Sequence, residues 1–150
     1  MKRTVLQKAF ADGLIERAER LEAGLVPRWG TMTPAEMLRH CTVTNEQILT
    51  WEGTLRPATL WQRVVKWYSL YLLPRFPRHV KGPKRYDMKG QVADGQFETE
   101  KSRLISQLRK FPHLRKPLYS PHPFFGPLTT REWGWVVYRH LDHHFRQFGV

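Results

Sequence analysis

The chain has 150 residues, of which 41% are hydrophobic, which is enough apolar sequence for one domain with a buried core and too much for a disordered chain. Cys41 is its one cysteine, so an intramolecular disulfide and a zinc site built from several cysteines are both excluded. The formal net charge of +12 raises the expectation of an anionic partner without identifying one. We therefore expect a single domain spanning residues 1–150.

The first third of the chain predicts two helices. Residues 4–23 have helical composition and no proline, and a glycine follows them as a stop signal. The second helix is predicted to begin at the motif TPAE, residues 33–36, and to run to about Trp51. In this motif threonine fits the N-cap, proline fits the first helical position, and Glu36 completes a capping box.

The rest of the chain predicts three more helices, over residues 60–73, 97–110 and 129–148. Residues 117–127 contain four prolines and are predicted to be irregular. Residues 86–92 are predicted to form a short extended piece. Because no segment alternates steadily between apolar and polar residues, we expect an all-α fold. An up-and-down helical bundle with an additional helix or long crossover fits this order of elements.

The positive charge is concentrated in residues 61–90, which we call the basic segment. It holds eight lysines and arginines against one acid, Asp87, a net charge of +7. Such a segment can serve as a patch for nucleic acid or for an anionic membrane, or it can be a solvated loop of a basic protein. Because no recognised nucleic-acid motif accompanies it, the pattern favours the solvated loop, and we do not expect a nucleic-acid partner.

The sequence also predicts location. Charged residues interrupt the N-terminal segment early, so it does not fit a signal peptide. The most apolar stretch, residues 60–73, contains Arg63 and Lys66 and is shorter than the roughly 20 residues that span a bilayer. A lone thiol fits a reducing compartment. We expect a cytoplasmic protein without a transmembrane segment. A homodimer is a further possibility, because small helical bundles often pair.

The histidines are the most informative residues of the sequence. His140 and His144 lie four positions apart in the last predicted helix, so they share one face and can bind one metal ion together. Each residue turns a helix by about 100°, which places both toward the apolar side and His143 nearly opposite, toward solvent. Three others lie in or beside proline-rich loops and are predicted at the surface: His79, His113 and His122.

His40 is the natural third ligand. It lies at the margin of the apolar stripe of the second helix, so packing of this helix against the last would bring three imidazoles together. Three histidines with no fourth protein ligand leave a coordination position open, as in catalytic metal sites. Glu36 and Gln147 are candidates for residues that do not bind the metal but orient a ligand through hydrogen bonds.

The alternative is that these histidines only pack or form hydrogen bonds. Leu141 follows His140, so the His-Glu-x-x-His pattern of zinc peptidases is absent. Cys41 falls within the apolar stripe of its helix and is predicted to be a buried hydrophobic residue rather than a nucleophile. The six tryptophans are predicted to lie mostly in the core or to line a groove.

Two stretches of the sequence resemble the DinB-like (YfiT-type) metalloprotein superfamily, especially its uncharacterised branch. One is residues 29–40, WGTMTPAEMLRH; the other is residues 122–128, HPFFGPL, followed by Trp133 and the helix ending in HLDHHFRQFG at residues 140–149. The residues between these two stretches, about 52–115, resemble the superfamily only in general residue character.

The resemblance implies a four-helix bundle of up-down-down-up type. It implies a divalent metal, often nickel or zinc, held by one histidine of the second helix and a His-x-x-x-His pair of the last. Those positions match His40, His140 and His144. The superfamily includes thiol S-transferases that use mycothiol or bacillithiol, and many members without an assigned activity.

Two classes of function follow. The first is a metal-dependent enzyme acting on a small molecule, either by transferring a low-molecular-weight thiol or by a small hydrolysis. The second is a non-catalytic metal-binding or stress-response protein whose basic segment contacts an anionic partner. Salt-sensitive binding would mark the second class, because contacts to phosphates weaken steeply with added salt.

Overall fold

The computed structural model describes residues 2–80 and 82–150, and it is mostly helical. Within those residues the α-helices are α1 (Lys8–Glu19), α2 (Pro34–Thr50), α3 (Leu60–Trp67), α4 (Phe97–Lys110) and α5 (Thr130–Gln147). A π-helical turn, Tyr68–Leu72, continues α3, and single 3-10 turns occupy Lys84–Tyr86, Asp94–Gln96 and Phe111–His113. Two strands of two residues each, β1 (Pro121–His122) and β2 (Gly126–Pro127), form an antiparallel pair.

Capping boxes define where three helices begin. Thr33 at the start of α2 accepts a hydrogen bond from the backbone N–H of Glu36, and the Glu36 carboxylate accepts one from the Thr33 N–H. This confirms the predicted start of the second helix. Thr59 and Thr129 make the same reciprocal pair at the starts of α3 and α5. Each box satisfies two backbone donors that a helix otherwise leaves unpaired.

Two predicted elements differ from the structure at their ends. The first helix begins at Lys8 rather than at residue 4, because the Val5 N–H donates to the Gly134 carbonyl of α5 and so holds the N-terminal residues against that helix. A side chain at position 134 would collide with Thr4 and Leu6, so glycine permits this close approach. The third helix loses regular α geometry after Trp67 and ends at Leu72.

The predicted extended piece over residues 86–92 is wrong. The chain forms a 3-10 turn over Lys84–Tyr86 and then turns again. Gly90 has a φ of 70°, in the left-handed region that ends extended structure. The Glu36 carboxylate accepts a hydrogen bond from the Gly90 N–H at 2.6 Å, which ties this turn to α2.

Helices α1, α2, α4 and α5 contact one another around the hydrophobic core: α4 packs on α1 and α2, and α5 also contacts both of those helices. Fully buried side chains from each of them fill the space between, including Leu14, Met37, Leu104, Leu141 and Phe145. Cys41 is fully buried among them, as predicted. Within residues 2–80 and 82–150, no helix is long and apolar enough to cross a bilayer.

Helix α3 contributes no buried side chain to this core, although Val65 packs against its edge. Leu60 and Trp61 are 78% and 73% exposed, and Trp67 is 57% exposed, so the prediction that the tryptophans mostly lie in the core is wrong for Trp61 and Trp67. Trp133 and Trp135 of α5 are buried, in agreement with it. The exposed apolar residues of α3 therefore contribute little to the folding free energy.

Leu104→Ala and Leu60→Ala test this division of the molecule. Leu104 has no exposed surface, so its truncation leaves a cavity and is expected to lower the free energy of unfolding by about 2–5 kcal/mol. Leu60→Ala removes the same atoms from an exposed site and is expected to change it by no more than about 0.5 kcal/mol. Urea denaturation followed by circular dichroism measures both, and similar losses in the two variants would place α3 in the core.

Candidate metal centre

Three histidines from two helices converge on one point. The Nε2 atom of His140 lies 2.9 Å from Nε2 of His40 and 3.1 Å from Nε2 of His144. One ring nitrogen from each of the three residues lies within 4.8 Å of the others. The sequence placed His40 on the second helix and the other two on the last, and the structure brings together all three.

The two helices meet at this point because of how each begins and what it buries. The capping boxes at Thr33 and Thr129 fix the first turns of α2 and α5. Both helices bury an apolar face in the common core, and the three histidines lie where those faces meet. His144 is buried, whereas His40 and His140 are half-buried, so the cluster lies near the surface rather than at the centre of the protein.

A main-chain carbonyl orients the imidazole of His40. Its Nδ1 lies 2.7 Å from the carbonyl oxygen of Tyr86. A carbonyl oxygen can only accept, so Nδ1 carries the proton and the lone pair of Nε2 points into the cluster. Tyr86 belongs to the 3-10 turn that the Glu36 carboxylate secures through Gly90.

A longer chain of hydrogen bonds orients His144. The amide nitrogen of Gln147 donates to the carbonyl oxygen of Trp29 at 2.6 Å, so its Oε1 faces His144 Nδ1, 3.0 Å away. That oxygen accepts the Nδ1 proton and leaves the Nε2 lone pair directed at the cluster. Gly30 has a φ of 78°, and a Cβ there would come within 2.6 Å of the Gln147 amide nitrogen. Because glycine has no Cβ, the Gln147 amide can approach the main chain here and donate to the Trp29 carbonyl.

Burial keeps all three imidazoles neutral. It lowers the pKa of His144 to about 3, with His40 as a further cause, and it lowers the pKa of His140 well below its usual value. Burial also lowers the pKa of His40, although the Tyr86 carbonyl opposes this. Neutral imidazole is the form that coordinates metal ions.

The geometry of the donors fits a divalent ion. A tetrahedral centre with bonds of about 2.0–2.1 Å places neighbouring ligand nitrogens about 3.3 Å apart. Two of the three separations, 2.9 and 3.1 Å between Nε2 atoms, are close to this distance, and all three ligand atoms lie within 4.8 Å of one another. His40 and His144 have their protons on Nδ1, so only His140 can have its proton on Nε2. The three Nε2 atoms therefore share at most one proton. A cation would satisfy the remaining lone pairs, so the cluster can hold a metal ion.

Glu36 and Gln147 turn out to act at different distances from the cluster. Gln147 bonds directly to His144, as the sequence suggested. Glu36 uses one carboxylate oxygen for the capping box and the other for Gly90, so it supports the turn that carries the Tyr86 carbonyl. Its influence on His40 is therefore indirect.

Two predictions about other histidines are wrong. His143 is half-buried rather than directed at solvent: its ring lies edge-on to Trp29 at 5.6 Å, and its Nδ1 is buried with no hydrogen-bond partner among the residues that the structure describes. The segment around Trp29 covers the side of α5 that helical phase alone had assigned to water. His122 is half-buried rather than at the surface, and its ring stacks on Phe125 at 4.1 Å. The antiparallel pairing of β1 with β2 turns His122 back against the protein. His79 and His113 are exposed, as predicted.

The hydrogen-bonding groups that sequence reasoning missed are the carbonyls of Tyr86 and Trp29. Every residue except proline has the same main-chain donor and acceptor, so a carbonyl with a special role leaves no mark in composition or spacing. The one indirect signal is the glycine at position 30, next to Trp29.

The basic segment contacts this cluster through its main chain, at the Tyr86 carbonyl, while most of its charged side chains face solvent. Its arginines and lysines are mostly exposed, and Arg78 lies over the ring of Trp29, with its guanidinium carbon 4.2 Å from the ring centroid. Lys81, which the sequence analysis counted in this segment, falls outside the residues that the structure describes.

A comparison with known families finds one match. The family model described as "Protein of unknown function (DUF1569)" matches residues 1–149, a range that includes all three clustered histidines. No curated protein and no solved structure matches the chain. Since that description assigns no activity, the function has to be argued from the site.

The buried imidazoles make stability depend on pH in a predictable direction. Below about pH 6.5, unfolded His144 takes up a proton that folded His144 does not accept until about pH 3, so stability falls as the pH falls through this window. For metal-free protein, His144→Gln is expected to reduce the slope of unfolding free energy against pH by up to about 1.4 kcal/mol per pH unit. Urea denaturation with a chelator present, from about pH 6.5 to pH 4, measures this slope.

The exposed His113 provides the control, because His113→Gln is expected to leave the slope unchanged. Equal slopes for His144→Gln and wild type would contradict the low pKa of His144.

Proposed function

The chain belongs to the DUF1569 family, and we propose that it is a divalent-metal-dependent enzyme with an open three-histidine site. The observation that carries this proposal is the convergence of three Nε2 atoms, two of them with their lone pairs fixed inward by hydrogen bonds at Nδ1. A hydrogen bond between neutral imidazoles accounts for only one of the two close Nε2 pairs, because the three atoms share at most one proton, and it leaves the other pair with facing lone pairs. Nickel or zinc suits a site made of imidazoles.

We also propose that the fold is the DinB-like four-helix bundle. The four helices would be α1, α2, α4 and α5, and α3 would lie in the long crossover between α2 and α4. Mutual packing of those four helices supports this assignment, as does the placement of the histidines on α2 and α5.

The protein residues of the site divide into holding and orienting roles. His40, His140 and His144 would hold the ion, and the Tyr86 carbonyl and Gln147 would keep two of the imidazoles in the correct tautomer. A divalent ion bound there would supply Lewis acidity that lowers the pKa of a thiol or a water and so provides a nucleophile near neutral pH. Three protein ligands leave a coordination position for that group, and His40 and His140 are only half-buried, so the cluster lies near solvent.

Thiol S-transfer is the reaction we favour. The thiol sulfur would form a bond to an electrophilic carbon, the leaving group would depart with its electron pair, and the thiol proton would pass to solvent. Support for this reaction comes from the resemblance to a superfamily that includes thiol S-transferases, and the net charge of the basic segment would attract an anionic thiol. A small hydrolysis uses the same site with water as the nucleophile.

The alternative function is a non-catalytic metal-binding or stress-response protein. The observation that favours it is the basic segment, most of whose charged side chains are exposed and available to an anionic partner. In that case a metal ion would stabilise the junction of α2 and α5 without turning over a substrate.

Metal content tests the proposal most directly. Wild-type protein is expected to bind about one equivalent of nickel or zinc, since three imidazoles and one open position form a single site. His40→Ala and His144→Ala are each expected to lose stoichiometric binding. Elemental analysis of untagged protein, before and after chelation and reloading, measures the stoichiometry.

His143→Ala is the matched control, because His143 is adjacent to His144 in α5 but has its ring against Trp29 rather than in the cluster. It is expected to retain the metal. Equal losses from His143→Ala and His144→Ala would contradict the three-residue site, and an absence of uptake by wild type would leave the histidines as packing residues.

Activity is tested by the loss of free thiol from a mixture of a low-molecular-weight thiol and an alkyl halide. Metal-loaded wild type is expected to exceed both the chelated protein and His140→Ala by at least about tenfold, because activation of the thiol depends on the ion. A thiol-specific dye follows the reaction. Rates that do not respond to metal in any of these samples would favour the non-catalytic alternative.

A further inference from the structure

Helix α3 and its π-helical continuation present an apolar surface to solvent. The side chains at positions 60, 61, 64, 67 and 68 have the spacing that gathers residues on one face of a helix. Each of them is more than half exposed, and Leu72 of the π-helical turn is exposed beside them. We call this surface the α3 apolar face; it consists of Leu60, Trp61, Val64, Trp67, Tyr68 and Leu72.

Most apolar side chains of α3 face solvent, whereas two of its polar side chains turn toward the protein. Lys66 pairs with the Glu132 carboxylate of α5 at 3.3 Å, Gln62 donates to the Pro123 carbonyl at 3.4 Å, and Val65 on the same side packs against the edge of the core. The Thr59 capping box fixes the first turn. Arg139 of α5 secures the other end, since its guanidinium donates to the carbonyls of Ser69 and Leu70. These contacts hold the apolar side outward.

An exposed surface of six large apolar side chains normally has a binding partner, because monomeric proteins rarely expose large contiguous apolar patches. The charge around the α3 apolar face indicates which one. Residues 53–86 contain eight lysines and arginines and no aspartate or glutamate. Arg56 and Arg75 flank the face in sequence, Arg63 lies within the helix, and all three are exposed.

This combination fits the surface of an anionic bilayer. Helices that lie in the interface bury an apolar face among the acyl chains and headgroups, and flanking arginines and lysines contact anionic lipids. Tryptophan and tyrosine are preferred at that depth because their rings are apolar and their N–H and O–H groups reach water. Trp61, Trp67 and Tyr68 supply such side chains.

Two other occupants fit less well. A second copy of the chain would bring two strongly basic segments together, and like charges oppose such an interface. Single-stranded nucleic acid stacks on aromatic rings in a basic groove. The α3 apolar face instead lies on a projecting helix and mixes aromatic rings with Leu60, Val64 and Leu72, which offer nothing for a base to stack on.

We propose that the α3 apolar face docks this protein on the surface of an anionic lipid bilayer. The helix lies in the plane of the interface, and the basic segment contacts the headgroups. The docking itself does not depend on the metal.

Cosedimentation of the full-length protein with vesicles tests this proposal. Binding to vesicles of phosphatidylcholine mixed with phosphatidylglycerol is expected to exceed binding to pure phosphatidylcholine by about tenfold or more, and to weaken with added salt. The double variant Trp61→Ser, Trp67→Ser is expected to bind at least about tenfold more weakly, since it removes the two largest apolar groups of the face.

Tyr119→Ser is the matched control, since Tyr119 is an exposed aromatic residue outside the face. It is expected to bind vesicles like wild type, as is His144→Ala, and thermal denaturation verifies that every variant is folded. Equal binding of the double variant and wild type would overturn the proposal, as would failure of wild type to bind the anionic vesicles.

Two companion measurements identify the other occupants. Sedimentation velocity that shows a dimer lost in the double variant, together with no vesicle binding, would assign the face to a second copy of the chain. Binding of a single-stranded oligonucleotide that the double variant loses, again without vesicle binding, would assign it to nucleic acid. Either result overturns docking on a bilayer.

Discussion

The candidate site depends on the hydrogen bonds at the outer nitrogens of two imidazoles. An imidazole can present a lone pair at Nε2 only when its proton is on Nδ1, and a buried Nδ1–H needs an acceptor. The Tyr86 carbonyl provides it for His40, and Gln147 provides it for His144. Because Gln147 is itself fixed by the Trp29 carbonyl, segments far apart in sequence jointly determine the direction of two lone pairs. Without these acceptors the same three histidines could rotate or exchange tautomers, and their convergence would be lost.

These acceptors link the loops to the geometry of the histidine cluster. The segment around Trp29 precedes α2 and reaches across to the end of α5, where the Arg28 N–H also donates to the Gln147 carbonyl. The turn that contains Tyr86 is tied to the start of α2 through the Glu36 carboxylate and Gly90. Parts of the chain that look like connections between helices therefore position the site. Burial adds a second constraint, since it keeps the imidazoles neutral and ready to accept a cation.

Sequence reasoning worked where side-chain patterns carry the information. Helical spacing placed His140 and His144 on one face, and the capping motif at Thr33 gave the start of α2. It failed where the decisive partner was the main chain or a distant segment. The extended piece over residues 86–92 became a turn because Glu36 binds Gly90. His143 was assigned to solvent by helical phase alone, although Trp29 packs against it. Contacts of this kind depend on the tertiary fold, which periodicity does not encode.

Helix α3 is a further case in which tertiary contacts, rather than the pattern of apolar residues, decide which side of a helix faces the protein. A strongly amphipathic helix normally packs its apolar side inward, and the tryptophans were predicted to lie mostly in the core or to line a groove. Here the polar side has the better partners inside the protein, because Lys66 meets Glu132 and Gln62 meets the Pro123 carbonyl. Reversing the helix would separate Lys66 from the nearly buried Glu132 and would remove Val65 from the edge of the core. These contacts hold the apolar side toward solvent, and the positive charge of the neighbouring sequence favours an anionic bilayer as its partner.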